Sequence, residues 1–434
     1  MIFGLPAILG FLPLLVYILL SFKGKDMLMV VMLCVILGAI LTGQTPITFG
    51  VALQQALGSF LGLIGFIILM GAGLGEVLSE TKVAQNIVHV VVTKTGVKTK
   101  KQAMIATMAS SILLVGLLGS MAGSNAILAP IIIPIVASFG ITPNTLGVLL
   151  HGAGATGLFL GPFVPPVVTT MGLTNITYGS YLLNVGLPIS VLIWISTYFI
   201  AQRTQKKYEG VVSYSKEDII DTKEFTVTPQ IKKATTFFAL SMAALITYGI
   251  VAKAGAAYAL TVMFIVAFVT GWAAGLSATE VLKILIKGSA RMYWLFLLFV
   301  LYDPFLKFVT ESGAFDALAG YLKPLIDASG EAGFMIISTL VGVFGVSGAA
   351  VAQEKVLYDL FLPIVQDLNI PMHLWALVLL VGSQITFFAY PTGDMLGQMG
   401  LARSNDLKSL IKNGLLITTL TCLFVAIRAL TYNF

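Results

Sequence analysis

The chain is poor in charge, cysteine and histidine. Charged residues make up 10% of its 434 positions and hydrophobic residues 58%. A water-soluble domain carries roughly 25% charged residues, so that class is excluded. Cys34 and Cys422 are the only cysteines, and both sit in apolar runs, which leaves no disulfide framework and no CxxC metal site. His89, His151 and His373 lack zinc-type spacing. No GxxxxGK[ST] stretch occurs, so ATP-driven transport has no support. No nucleophile–base pair stands out either, and neither enzyme activity nor an organic cofactor is expected. Short alternating segments of the porin type are absent. The net charge of +6 points to basic loops at a membrane face rather than to nucleic acid.

What the chain does have is apolar runs near the length of a membrane span, recurring from end to end. "PAILGFLPLLVYILLSF" and "MLMVVMLCVILGAILTG" are the first two. The reading is an all-α polytopic membrane protein in a bilayer, of the multi-pass kind found in a prokaryotic plasma membrane. The first run has no basic n-region and no small-residue cleavage site, so it reads as a span and not as a signal peptide.

One long polar segment, residues 202–233, divides the chain into a first transmembrane repeat (1–201) and a second (234–434). The halves match. The segment from Thr48 aligns with that from Thr279, Glu80 falls opposite Glu311, and "PIVASFGITP" matches "PIVQDLNIPM" after a small slip. Pro162 then aligns with Pro391, and "TTMGL" with "GQMGL".

In the first half, spans are expected near residues 3–22, 26–43, 57–79, 145–176 and 178–201. Between the third and fourth lie two apolar arms around a polar tip, "GSMAGSN", readable as one long span or as a re-entrant hairpin. The hairpin reading gives five crossings per half, and an odd number inverts the second repeat. Basic residues favour it. With the N-terminus outside, all lysines and arginines of the 25 fall on the cytoplasmic side except Lys253, Lys307, Lys323, Arg428 and the intramembrane Lys355. The expected fold is therefore two inverted repeats of about five transmembrane helices, each with a re-entrant hairpin and a broken helix, joined by a cytoplasmic linker.

Non-helical backbone at membrane depth survives only where protein, water, an ion or a substrate satisfies it. Four such places are expected, in two equivalent pairs. The hairpin tips are "GSMAGSN" and "SGAAVAQE", with Ser124–Asn125 opposite Gln353–Glu354. The broken spans are "LLHGAGATGLFLGPFVPP" and "LLVGSQITFFAYPTGDM", interrupted at Pro162 and Pro391. Free helix N-termini there could face an anion, and free carbonyls could hold a cation.

"SMAGSNAILAPIIIPIV" resembles the hairpin of divalent-anion/sodium symporters, whose tip is Ser-Asn-Thr; here Ala126 replaces the threonine. "GAGATGLFLGPFVPP" resembles the broken helix that follows it. The whole chain is similar to the ion transporter superfamily, which includes carboxylate carriers and sodium/proton antiporters. The resemblance implies a first sodium site at Ser124, Asn125 and the segment Gly154, Ala155 and Thr156. The second tip departs from the pattern, with Gln353, Glu354 and Lys355 where a Ser-Asn-Thr tip would stand.

Charges inside a membrane are costly. Lys355 and Asp359 are spaced i,i+4 and share a face if that arm is helical. They are either a self-neutralising pair or, with Glu354, part of a site in which Glu354 binds a cation or proton and Lys355 meets an anion. Asp394, after Pro391, is the second candidate acid, and Ser383, Thr386 and Thr392 flank it on the same broken segment. His151 either lines the site or is a satisfied bundle histidine, and Asp303 faces the cavity or the outer surface. Tyr208 and Trp375 read as interface anchors. The expected function is a secondary active transporter, a homodimer, moving a small organic anion with sodium or protons. The alternative is a sodium/proton antiporter that uses Glu354, Asp359 and Asp394.

Overall fold

The computed structural model describes residues 6–94, 96–215, 225–345 and 350–432, and among them the regular structure is all helical. Eight helices among the described residues are long and apolar enough to cross a membrane. The protein is a polytopic helical membrane protein. The second hairpin tip, Val346–Ala349, lies outside the described residues, as does the middle of the polar linker.

The chain divides into two compact units that each draw on both sequence halves. The first comprises Met1–Leu69, Arg291–Thr386 and Phe424–Phe434. Its helices are α1 (Leu12–Phe22), α2 (Met27–Thr42), α3 (Pro46–Leu57) and the N-terminal part of α4 (Phe60–Glu80), with α15–α18 from the second half. Those four are α15 (Tyr293–Glu311), α16 (Ala314–Val343), α17 (Ala350–Asp367) and α18 (Met372–Gln384). The capping box of Thr45 and Thr48, followed by Pro46 at N1, sets the start of α3. Gly330 breaks α16 with φ 63°, a conformation open to glycine. Aromatic side chains fill the core: Tyr17 and Tyr302 bond through their hydroxyls, and Phe334 stacks on Trp375 with centroids 5.9 Å apart. Trp375 is therefore no interface anchor. It is fully buried, with the Phe361 ring edge-on to it.

The second unit comprises Met70–Ala290 and Phe387–Leu423. Its centre is α8 (Pro143–Leu160), buried at every residue through Phe159. Around it pack α6 (Lys100–Leu118), α7 (Met121–Ser138), α11 (Leu187–Tyr208) and α20 (Gly393–Leu401). Glycines make these approaches possible. A Cβ at Gly157 would lie 2.6 Å from the Ile112 carbonyl oxygen, and one at Gly161 2.3 Å from that of Gly116.

The polar segment after residue 118 is a two-helix hairpin, not one long span. Gly119 takes φ 69° at the end of α6, and the Ser120 hydroxyl caps α7 by accepting from the Gly123 N–H. At 1.5 Å per residue each arm runs about 27–29 Å, close to the hydrocarbon thickness. Because the chain folds back at the turn, the parity of crossings stays that of a hairpin.

Candidate functional site

Ser124 and Asn125 lie in the first turns of α7, both fully buried. They are helical residues and not part of an irregular tip, because the turn is complete within Gly119–Ser120. The Ser124 hydroxyl donates to the Leu114 carbonyl at 3.1 Å. Asn125 is the hub. Its Oδ1 accepts from the Ser111 hydroxyl at 2.7 Å, while its Nδ2 donates to the Leu150 carbonyl at 3.1 Å and to Gln398 Oε1 at 2.7 Å. One side chain thus ties together α6, α7, α8 and α20.

Gly154, Ala155 and Thr156 do not form a break. They sit inside the continuous helix α8, and the Thr156 hydroxyl donates to the Ala153 carbonyl at 2.6 Å. The expected free carbonyls are engaged in the helix. The glycines are there for proximity: a Cβ on Gly154 would sit 3.0 Å from Asn125 Nδ2. The interruption comes later, at Gly161–Val164, and includes Pro162. Pro165 then opens α9 (Pro165–Thr174) at N1, where its missing N–H costs nothing. The hydroxyl of Tyr178 donates to the Leu160 carbonyl at 2.6 Å and satisfies the end of α8.

His151 is fully buried and edge-on to Phe388, with centroids 4.9 Å apart. It lies against the Phe387 backbone without a well-formed hydrogen bond at either ring nitrogen. Gln398 Nε2 and Ser110 Oγ are also buried without a partner. Such groups cost about 1–3 kcal/mol each unless water or an ion meets them. Gln398, Ser111 and Ser110 were not singled out from the sequence. The available signal was Gln398 standing opposite Thr170 in the matched "GQMGL" and "TTMGL".

In the other unit, Gln353, Glu354, Lys355 and Asp359 lie on α17. Glu354 is fully buried, with the Gln384 amide donating to its Oε2 at 3.5 Å. Gln353 Nε2 donates to the carbonyls of Gly342 and Gly382, at 2.5 and 2.9 Å. Gly342 and Gly382 mark a close crossing of α16 and α18, since a Cβ on Gly342 would lie 2.3 Å from the Gly382 carbonyl oxygen. Lys355 bonds Asp359 at 2.5 Å, as the i,i+4 spacing predicts, and both side chains are about one-fifth exposed. Ser383 and Gln384 end α18, with the Ser383 hydroxyl donating to Leu379 at 2.7 Å and receiving from Gln384 Nε2 at 3.0 Å. The Thr386 hydroxyl donates to the Ser383 carbonyl at 2.7 Å, opening the short helix α19 (Thr386–Ala389).

The second break is Tyr390–Thr392. Pro391 lies within it, and Thr392 caps α20 by accepting from the Met395 N–H. Asp394 is in the first turn of α20, half-buried and favourably placed toward the helix N-terminus. It belongs to the second unit, whereas Glu354 and Lys355 belong to the first. Asp303 is half-buried on α15 beside Pro304.

A further carboxylate was passed over in the sequence. Glu76, inside the apolar run of α4, is 8% exposed. Lys287, on α14 (Ala278–Ala290), bridges it at 2.8 Å and Glu80 at 2.7 Å. The two carboxylates raise the lysine's pKa, Glu76 most. Among the described residues no cluster of three His, Cys, Asp or Glu side chains could hold a metal. A monovalent cation can also be held by neutral oxygens. Ser124 and Thr156 spend only their hydroxyl protons on helix carbonyls, and their oxygen lone pairs stay available.

The Na+/H+ antiporter family model matches residues 1–202. No curated protein matches the chain. Among solved structures, Neisseria gonorrhoeae MtrF, described in connection with a class of antimetabolite efflux pumps, is similar with a TM-score of 0.71 and 14% identity over 94% of this chain and 95% of that one. The Alcanivorax borkumensis YdaH transporter gives 0.62 and 15% over 92% and 97%. At these identities the shared property is the fold. The family match and the fold together support a secondary transporter rather than an enzyme.

Proposed function

We propose that the protein is a cation/proton antiporter, with sodium the cation favoured by the family similarity over residues 1–202. Glu354 carries the reading: a carboxylate without exposed surface, on a helix of an apolar protein, beside the amide of Gln384. A carboxylate in such surroundings is costly when charged and alone, and far less so when protonated or paired with a cation. One acid that takes either a proton or a sodium ion, but not both, exchanges them as access alternates. Asn125, which aligns with Glu354 across the repeat, cannot titrate. It holds its helices together while Glu354 changes partner.

Organic-anion symport is weaker as a reading. Lys355 was the residue expected to meet the anion, and an anion would have to displace Asp359 from it. The test is purified protein in proteoliposomes carrying an imposed proton gradient and a lumenal pH dye. Sodium addition should collapse the gradient in wild type and leave it intact in Glu354→Gln. Carboxylate uptake without any cation-driven proton movement would overturn the reading.

A further inference from the structure

A cavity of about 190 Å³ lies beside the first helix break, between residues 162–179 and residues 246–259 of the same unit. Its walls include Phe163, Met171 and Tyr178 on one side and Ile246, Ile250 and Tyr258 on the other. The rings are held in place. Phe163 meets Tyr258 edge-on at 6.5 Å, the Tyr258 hydroxyl donates to the Leu245 carbonyl, and the Tyr178 hydroxyl is bound to Leu160. Two lining glycines, Gly179 and Gly255, have open space where a Cβ would stand, so neither is explained by close packing.

The lining holds one charge. Lys253 follows α12 (Pro229–Val251) and takes φ 51°. Its N–H bonds the Ile250 carbonyl and the next N–H bonds that of Gly249, a helix-ending pattern that ordinarily uses glycine at this position. Here a lysine bears the left-handed conformation, and its ammonium makes no ion pair among the described residues. None of these residues belongs to the Asn125 network or to the Glu354 arm.

We propose that this cavity binds a small apolar monocarboxylate of about the size of benzoate. Volume sets the size, since a dry cavity of about 150 Å³ accepts benzene. The aromatic and aliphatic walls take the body of the ligand. Lys253 selects the charge, as an unpaired ammonium at the rim of an apolar cavity attracts an anion and repels a cation. A ligand seated there touches both the broken helix and the α12 end, so it also biases the break at Gly161–Val164.

The test is calorimetric titration of the full chain in zwitterionic nanodiscs with benzoate and with benzylamine. Benzoate should bind saturably at one site and benzylamine at least tenfold more weakly. Lys253→Gln should weaken benzoate at least tenfold. Gly179→Phe, whose Cβ would stand in open space, should abolish binding. Gly50→Ala, on α3 of the other unit and with nothing within 4 Å of its Cβ, should leave it unchanged. Equal binding of both probes, no saturable binding, or unchanged affinity in Lys253→Gln and Gly179→Phe would overturn the proposal. A tenfold loss of benzoate affinity in nanodiscs of anionic lipid would assign the cavity to lipid headgroups and overturn it as well.

Discussion

The side-chain amide of Asn125 donates to Gln398 Oε1 at 2.7 Å, across 273 positions of sequence, with both residues fully buried. That bond joins the first hairpin to the helix after the second break. Asn125→Ala deletes it and leaves the Gln398 carbonyl and the Ser111 hydroxyl without their partner. Side-chain hydrogen bonds between membrane helices average about 0.6 kcal/mol, and stranding a buried partner adds to the cost. A loss of about 1–2 kcal/mol is expected in denaturation in mild detergent. The double variant Asn125→Ala/Gln398→Leu should recover part of it, giving a coupling energy of at least about 0.5 kcal/mol. Strict additivity would mean that the bond does not form in the membrane.

Glu354→Gln should abolish sodium-driven proton movement while the protein stays monodisperse on size exclusion, because the amide fits beside Gln384 and cannot titrate. Glu354→Asp should keep a slower exchange with a shifted pH profile. Proton movement in Glu354→Gln at the wild-type rate would assign the exchange to another acid, with Asp394 next in line. Asp394→Asn tests that directly in the same vesicles.

Lys355 and Asp359 divide a structural role from a transport role. Each is about one-fifth exposed and bonded to the other. Removing one leaves a charge uncompensated in an apolar protein, so Lys355→Met and Asp359→Leu should each destabilise by about 1–3 kcal/mol. The double change removes both charges and should come back to within about 1 kcal/mol of wild type. If the double variant is stable and exchanges sodium normally, the pair locks the arm of α17. If it is stable and silent, the pair takes part in transport.

Much of this architecture is legible in the order of residues. The apolar runs mark the spans, and a polar turn between two apolar arms marks the first hairpin, because both follow from local hydropathy. The glycines of α8 misled for a physical reason. In "HGAGATG" they read as loosened backbone, yet α8 is an unbroken buried helix there, and the missing Cβ atoms admit Thr197, Met121 and α6 instead. Pro162, where φ is fixed and the N–H absent, did mark the true break within a residue or two. Gln398 could not be found locally, since Asn125 lies 273 positions away, and Ser111, 14 positions from it, reads only as one small polar residue in an apolar arm. Trp375 looked like an interface anchor by residue type, and only the Phe334–Phe361 cluster shows it to be core.

Helix contact through glycine yields a stability prediction with a built-in control. A Cβ on Gly157 would meet the Ile112 carbonyl oxygen at 2.6 Å and the Gly116 nitrogen at 2.8 Å, both backbone atoms that move only if α6 moves. Gly157→Ala should cost about 1–3 kcal/mol, seen as a lowered Tm. Gly50→Ala on α3 meets nothing within 4 Å and should be neutral or stabilising by up to about 1 kcal/mol. Equal behaviour of the two would show that α6 and α8 are not held at the observed separation.

The last prediction concerns direction across the membrane. The hairpin of α6 and α7 returns the chain to the side it left, which leaves five net crossings before the polar linker if the other five apolar segments each cross once. An odd number turns the second half over relative to the first. The basic residues agree: with the N-terminus outside, the linker lysines and those near residues 94–101, 283–291 and 403–412 share the cytoplasmic face. Ser215 then belongs inside and Glu331, at the start of the second hairpin, outside. Cys34 and Cys422 would first be replaced by alanine, and a single cysteine introduced by Ser215→Cys or Glu331→Cys. An impermeant maleimide applied to intact cells should label the Glu331→Cys protein at once and the Ser215→Cys protein only after lysis. Labelling of both from the same side would rule out an inverted pair, and with it the equivalence of Asn125 and Glu354 on which the proton-exchange reading leans.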